Sequence, residues 1–156
     1  MFTSQDEKYF LAAVKKIKRP QDGLPFSVFE SLCKIVPFIG CEIIIQDDCG
    51  RFLLTWRDDK WYHGWHFPGG LLRAGETFEE RINQTTIREL GVKTKKVMFL
   101  KPINHGGRDR RGYVISLAFL CQLNKKPTVG KFFARMPKDI IPEHRLLWRE
   151  VNNDLK

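Results

Sequence analysis

Apolar residues recur at helical spacing near the N-terminus, at Phe10, Leu11, Val14 and Ile17. This predicts an amphipathic helix over residues 4–18 on which these four residues share a face. Ser4 is its expected cap, Asp6 and Glu7 fall in the first turn, and Lys15, Lys16 and Lys18 gather at its C-terminal end, as the helix dipole favours. After a turn-forming segment, RPQDGLP (19–25), Phe29, Leu32, Cys33 and Val36 mark a short helix over about 27–36, stopped by Pro37. Residues 38–45 and 51–57 then read as strands, with Asp47-Asp48-Cys49-Gly50 as the hairpin turn between them. A polar and aromatic loop (58–64) and a short strand (65–67) lead into Pro68-Gly69-Gly70, and a helix is expected over 77–90. Beyond it lie a strand over 95–103, a basic loop HGGRDRRG (105–112), a strongly apolar and central strand over 113–123, a loop over 124–130 and a strand over 145–151. Strands outnumber helices, yet one helix interrupts the middle. The pattern is therefore α+β, a mixed sheet with helices packed on its faces.

Composition narrows the class. At 156 residues, 42% hydrophobic and 29% charged, the chain is expected to form one ordered domain with a sizeable core. No apolar run is long enough to span a membrane, and the N-terminal lysines interrupt any signal-peptide core, so a soluble, cytoplasmic protein is expected. Cys33, Cys41, Cys49 and Cys121 are scattered, without the spacing of a zinc ribbon or redox pair, and read as free thiols. The net charge of +9 attracts phosphates of any kind. It is dispersed and carries no nucleic-acid-binding signature, so a small nucleotide fits as well as nucleic acid.

The stretch Gly69 to Val92 concentrates the chemistry: a glycine pair, a charged helix, and a Glu-Leu-Gly stop. Glycine amides and a helix N-terminus favour anions, and helix carboxylates favour a cation, which together suggest a metal-assisted diphosphate site. Gly70, Glu76, Glu89, Gly91 and Val92 resemble the Nudix box. The box's Arg-Glu-apolar run falls instead on Gln84, Thr85 and Thr86, and the first carboxylate of its Glu-Glu pair falls on Arg88. Positions 85, 88 and 89 cluster on one side of a helix, so carboxylates at all three would hold several cations. Thr85, Arg88 and Glu89 offer one carboxylate beside a guanidinium, which does not support multi-metal attack on phosphorus.

The same losses resemble the GDP-mannose mannosyl hydrolase branch of the Nudix superfamily. Phe29, Pro37, Glu42, Gly50, Arg57, the aromatic lead-in to FPGG, His105, Tyr113 and the Glu143-His144 pair carry the likeness, over about residues 26–151. Against that pattern, Leu71 stands where the branch has Arg (Arg73 lies nearby), Glu143 replaces Gln, and the C-terminal helix is missing or very short. The resemblance implies a Nudix fold, a mixed sheet between helices, over 26–156, preceded by a helical extension and linker over 1–25. It implies that water displaces a nucleoside diphosphate from the anomeric carbon of a nucleotide sugar, with one Mg²⁺, or Mn²⁺ in its place. Glu89, Glu143 and a carbonyl at Gly69 or Gly70 would be the metal ligands, Arg57 would steady the leaving phosphates, and His144 would be the general base. Glu42, Arg73, His105 and Tyr113 would contact substrate, and a homodimer is possible.

Each role has a plainer rival. Glu89 and Arg57 would otherwise be solvated, His144 structural, and the 108–111 RDRR run, which in a diphosphate enzyme could draw in substrate, a solvated loop. His63 and His66 stand at H-x-x-H spacing, but loop packing with Trp61 and Trp65 is favoured over zinc. Two other functions compete. One is a pyrophosphatase whose metal site is rebuilt from Glu76, Glu79 or Glu80. The other is a nucleotide- or RNA-binding module without activity, which Arg88 and the basic charge favour.

Overall fold

Among the described residues the chain has four α-helices and seven strands, and the strands form two sheets around a split core. The computed structural model describes residues 2–107 and 109–155; Met1, Lys156 and Arg108 of the RDRR run lie outside the described residues. In chain order the elements are α1 (Ser4–Val14), α2 (Phe26–Leu32), β1 (Phe38–Ile44), β2 (Phe52–Asp58), β3 (His63–His66), β4 (Gly69–Leu71), α3 (Phe78–Leu90), β5 (Thr94–Asn104), β6 (Val114–Leu123), β7 (Lys131–Phe133) and α4 (Pro142–Asp154). The larger sheet has the order β4-β1-β6-β5, with β1 and β6 parallel and the other pairs antiparallel. The smaller sheet has the order β3-β2-β7. Among the described residues no helix is long and apolar enough to cross a membrane.

The split core explains how β1 and β2 part company. On β1 and just beyond, Cys41, Ile43 and Ile45 pack with Ile82, Leu90 and Val92 around α3. Ile44 faces the other way and packs with Phe52, Leu54, Phe67, Leu147, Trp148 and Val151 against α4. Alternation along a strand buried on both faces feeds both clusters. The 47–50 turn forms, with Gly50 at φ 73°, but joins strands of different sheets rather than a continuous hairpin. Near the turn Leu53 N–H bonds Ile45 O (2.9 Å) and Asp47 N–H bonds Arg51 O (3.0 Å), with Gln46 and Phe52 in an isolated antiparallel bridge.

Several expectations need correction. Residues 145–151 are helical, inside α4, because Glu143, Leu147, Trp148 and Val151 are buried at helical spacing and Pro142 starts the helix. The C-terminal helix is therefore thirteen residues long. β7 was not foreseen. α1 is capped by Thr3 in a capping box with Asp6, not by Ser4, and none of its residues is buried. Phe10, Leu11, Val14 and Ile17 are all exposed. α2 ends at Leu32, and its tail is tied to the start of β6 by Tyr113 N–H to Cys33 O (2.9 Å).

Candidate functional site

α3 begins and ends on local chemistry. Thr77 caps it and Glu80 returns the bond to the cap backbone; Gly91 closes it in the left-handed conformation at φ 68°. Glu76 locks the preceding loop to the helix. It accepts from Arg73 N–H (2.9 Å) and from the Nε of Arg81 (2.8 Å), whose buried guanidinium also meets its second oxygen. Glu80 is committed to the cap, so neither it nor Glu76 is free to rebuild a metal site. Further along α3, Thr85 is buried beneath Gly70, where an added Cβ would stand 2.8 Å from its hydroxyl. Arg88 Nη2 binds Glu89 Oε1 at 2.7 Å. Glu89 Oε2 is buried without a hydrogen-bond partner, and burial raises the Glu89 pKa despite Arg88.

The expected backbone ligands are engaged. Ile43 N–H donates to Pro68 O (2.8 Å) and Leu72 N–H to Ile39 O (2.9 Å). The register of Cys41 with Gly70 and Glu42 with Gly69 then puts the Gly70 carbonyl in the β1–β4 ladder and turns Gly69 outward. The outward Gly69 carbonyl lies 3.5 Å from Arg88 Nη2. Glu143 is buried, and its ion pair is with Arg110 (3.5 Å), not with a partner on α3. Among the described residues no three His, Cys, Asp or Glu side chains converge to hold an ion. The residues present do not fit a protein-held metal cluster; they supply two orphaned carboxylate oxygens, Glu89 Oε2 and Glu143 Oε2, each in a side chain already paired with an arginine.

A different constellation forms where β1, β4 and α4 meet. Glu42 lies on the α4-facing side of β1 and is 7% exposed. Ser116 Oγ donates to its Oε1 (3.0 Å) and sits 2.9 Å from His105 Nε2. Since the Ser116 proton points to Glu42, its oxygen accepts from His105, giving a relay His105–Ser116–Glu42. Burial pushes the Glu42 carboxyl up to about 7, against the Ser116 bond. Gly69 is required opposite it, because a Cβ there would collide with the carboxylate. His144 is also buried, and its Nδ1 accepts the Phe67 backbone N–H at 3.0 Å. An amide only donates, so the neutral ring carries its proton on Nε2, which faces Glu42 Oε2 at 3.9 Å. Burial and the neighbouring His66, His105 and arginines hold the His144 pKa well below the usual range, so this contact is not an ion pair. The lone pair that a base role for His144 would need is already occupied.

Between these groups lies a niche of about 30 Å³, walled by Gly40, Glu42, Arg57, Gly69, Arg111 and His144 among others. That is roughly the volume of one water. It adjoins a cleft of about 1450 Å³, and Arg57, His66, Gly69, Gly70, Leu71 and Arg111 border both. Arg73 also borders the cleft and reaches Gln21 O (3.1 Å). Tyr113 is half exposed and borders neither space, and His105 stands behind Ser116. His63 and His66 diverge: His63 is exposed against Asp58 (3.0 Å), and buried His66 meets Thr55 (3.1 Å). Ser116 was missed by sequence reasoning, and Arg111 was weighed only as part of the 108–111 run and not singled out. The acidic residue inside the basic loop, Asp109, was the available signal for Arg111.

A protein-family model described as the NUDIX domain matches residues 39–147. The chain belongs to the Nudix family. It is 30% identical over 107 residues to an ADP-ribose pyrophosphatase of Methanocaldococcus jannaschii, across 68% of this chain and 60% of that protein, so it spans less than two thirds of that relative's length. Its fold resembles a MutT Nudix hydrolase from Burkholderia pseudomallei at TM-score 0.64 and 22% identity, over 74% of this chain and 98% of that one. It also resembles a Francisella tularensis bifunctional NMN adenylyltransferase/ADP-ribose pyrophosphatase complexed with AMP and a manganese ion. That match has TM-score 0.58 and 17% identity, and covers 97% of this chain and 49% of the other.

Proposed function

We propose that this Nudix protein hydrolyses a nucleoside diphosphate sugar by attack of water at the anomeric carbon. The observation that carries this reading is the Glu42 carboxylate facing a water-sized niche beside a cleft bordered by arginines. A water oxygen in the niche bonds to the anomeric carbon while its proton passes to Glu42. The carbon–oxygen bond to the diphosphate breaks, its electron pair leaves with the phosphate oxygen, and the sugar emerges inverted. A carboxyl pKa of about 7 suits a base working near neutrality. Ser116 and His105 fix Glu42, and the His144 Nε2–H is a donor toward the same space. Arg57 meets the charge that grows on the leaving diphosphate. Glu89 Oε2 can accept an ion that arrives on the substrate's phosphates, Mg²⁺ or Mn²⁺, and no step above depends on it.

The pyrophosphatase relative supports a nucleoside diphosphate ligand alone, because ADP-ribose joins its diphosphate to the ribose 5-oxygen and has none on the anomeric carbon to displace. It also favours the second reading, cleavage at phosphorus. Thr85 and Arg88 on α3 weigh against that second reading. Hydrolysis in ¹⁸O-water separates the two. A panel of nucleotide sugars with Mg²⁺, headed by GDP-mannose and GDP-glucose, should yield labelled free sugar, while ADP-ribose, whose diphosphate is not on the anomeric carbon, should stay intact. Label in phosphate would establish the pyrophosphatase instead, and silence across the panel with tight nucleotide binding would make the domain a binding module.

A further inference from the structure

Arg57 and Arg111 stand on the same aromatic ring. Their guanidinium carbons lie 4.6 and 5.4 Å from the centre of the Tyr62 ring, and Tyr62 is itself buried. Each arginine is held by its own carboxylate. Arg57 Nε binds Asp59 at 2.5 Å, and the other Asp59 oxygen accepts the backbone N–H groups of Trp61 (2.8 Å) and Tyr62 (3.0 Å). Arg111 forks onto Asp109 through Nε (2.9 Å) and Nη2 (2.7 Å), and the Tyr62 hydroxyl donates to the same carboxylate at 2.8 Å. Burial alone would raise the Asp109 pKa, but the bonds from Arg111 and Tyr62 hold it below the ordinary carboxylate value. Among the described residues, Nη1 of Arg111 and both terminal nitrogens of Arg57 have no protein partner, and both side chains border the niche and the cleft.

Two guanidiniums locked by a shared ring and separate carboxylates lose little freedom when an anion arrives. They also stand where cation charge is needed, beside a helix that offers Thr85 and Arg88 in place of carboxylates. We propose that Arg57 and Arg111, seated on Tyr62, form a fixed guanidinium pair that grips the diphosphate of a nucleoside diphosphate without a divalent cation. This rests on the reading of the ligand as a nucleoside diphosphate. It assigns to Arg111, Tyr62 and Asp109 a binding and positioning role that the helix motif does not contain.

The test is calorimetric titration of the full chain with ADP, GDP and UDP in EDTA and again in Mg²⁺. The best-bound nucleotide should keep its Kd within about threefold between the two conditions, and its monophosphate should bind at least about tenfold more weakly. Arg111→Gln and Arg57→Gln should each weaken binding about 10- to 100-fold in EDTA, the worth of charge-assisted bonds. Tyr62→Phe keeps the ring and loses only the bond to Asp109, so it should weaken binding less. Loss of binding in EDTA by the unmodified protein overturns the proposal, whatever happens to the variants, and so do folded Arg57 and Arg111 variants that bind like the parent. Nucleotide-sugar turnover in the same samples separates this inference from the reading beneath it. Turnover with strictly Mg²⁺-dependent nucleotide binding sinks the guanidinium pair alone. Binding in EDTA without turnover supports the pair and sinks the proposed hydrolysis.

Discussion

On the proposed reading, Glu42 is the residue at which function and stability pull in opposite directions. Its folded pKa of about 7 lies above the ordinary carboxyl value of 4.5, with burial as the chief cause. Between those two pH values the folded state keeps a proton that the unfolded chain has released, so this group's contribution is most favourable below 4.5 and is lost as pH rises through 7. At saturation the loss is roughly 3 kcal/mol. Glu42→Gln removes the titration and keeps the acceptor for Ser116. Turnover should fall by about 10²- to 10⁴-fold, as for loss of a positioned base. Melting at pH 8 should occur above the parent's temperature, and the gain should vanish by pH 4.5. A lower melting temperature at pH 8 would mean that the charge is compensated in the folded state. His66 runs the other way. Burial lowers its pKa to about 4, so the unfolded chain takes up the proton first and stability falls as pH drops from 6.5 toward 4. His144 adds to that trend, being lowered further by burial. In the parent the carboxyl and the histidines offset one another across this window. The Glu42→Gln protein should therefore lose stability more steeply on acidification from pH 6.5 to 4.5, as a series of melting curves will record.

At the level of elements, the parts legible in the sequence are those whose ends are written locally. Thr77, Glu80 and Gly91 place both ends of α3 within a residue of the expectation, because capping and left-handed closure are short-range chemistry. The same residues carry a measurable share of stability. Thr77→Ala should cost about 1 kcal/mol, and Gly91→Ala about 1–2 kcal/mol because an L-residue is strained at φ 68°; chemical denaturation measures both. α4 was illegible for the opposite reason. Leu146, Leu147 and Trp148 together look like a strand, and the helical period emerges only across Glu143, Leu147 and Val151, whose partners lie on distant elements. Trp148 packs edge-on to Phe52 at 5.0 Å and near Phe67 at 5.9 Å. Trp148→Ala should destabilise by about 3–5 kcal/mol, and little loss in a denaturant titration would show that α4 does not hold this core. The site was legible only in part, for a related reason. Glu42, Arg57 and His144 were named from resemblance, but the Phe67 amide that fixes the His144 tautomer is 77 residues away in sequence. The serine that orients Glu42 is 74 away. Neither bond leaves a mark on local pattern.

For the molecule as a whole, the N-terminal segment divides into a part that stabilises nothing and a part that shapes the cleft. Both core clusters are built from residues 41–155, and no residue of α1 is buried. The apolar face that its sequence spacing predicts is exposed, not packed on the core. A protein beginning at Lys16 should melt within about 1–2 °C of the full chain, since half a kcal/mol moves a domain of this size by no more than that. Residues further along behave differently: Ile17, Pro20, Asp22, Gly23, Leu24 and Phe26 border the cleft, and Arg73 of the loop before α3 is tied to Gln21. A protein beginning at Ser27 loses that wall and leaves Glu42, Ser116, His144 and Arg57 in place. On the proposed reading the wall would meet substrate away from the reacting carbon, so its contacts should act on ground state and transition state alike. KM for the nucleotide sugar should then rise several-fold with kcat nearly unchanged. An equal fall in kcat and kcat/KM would instead place the segment's contribution in the transition state itself.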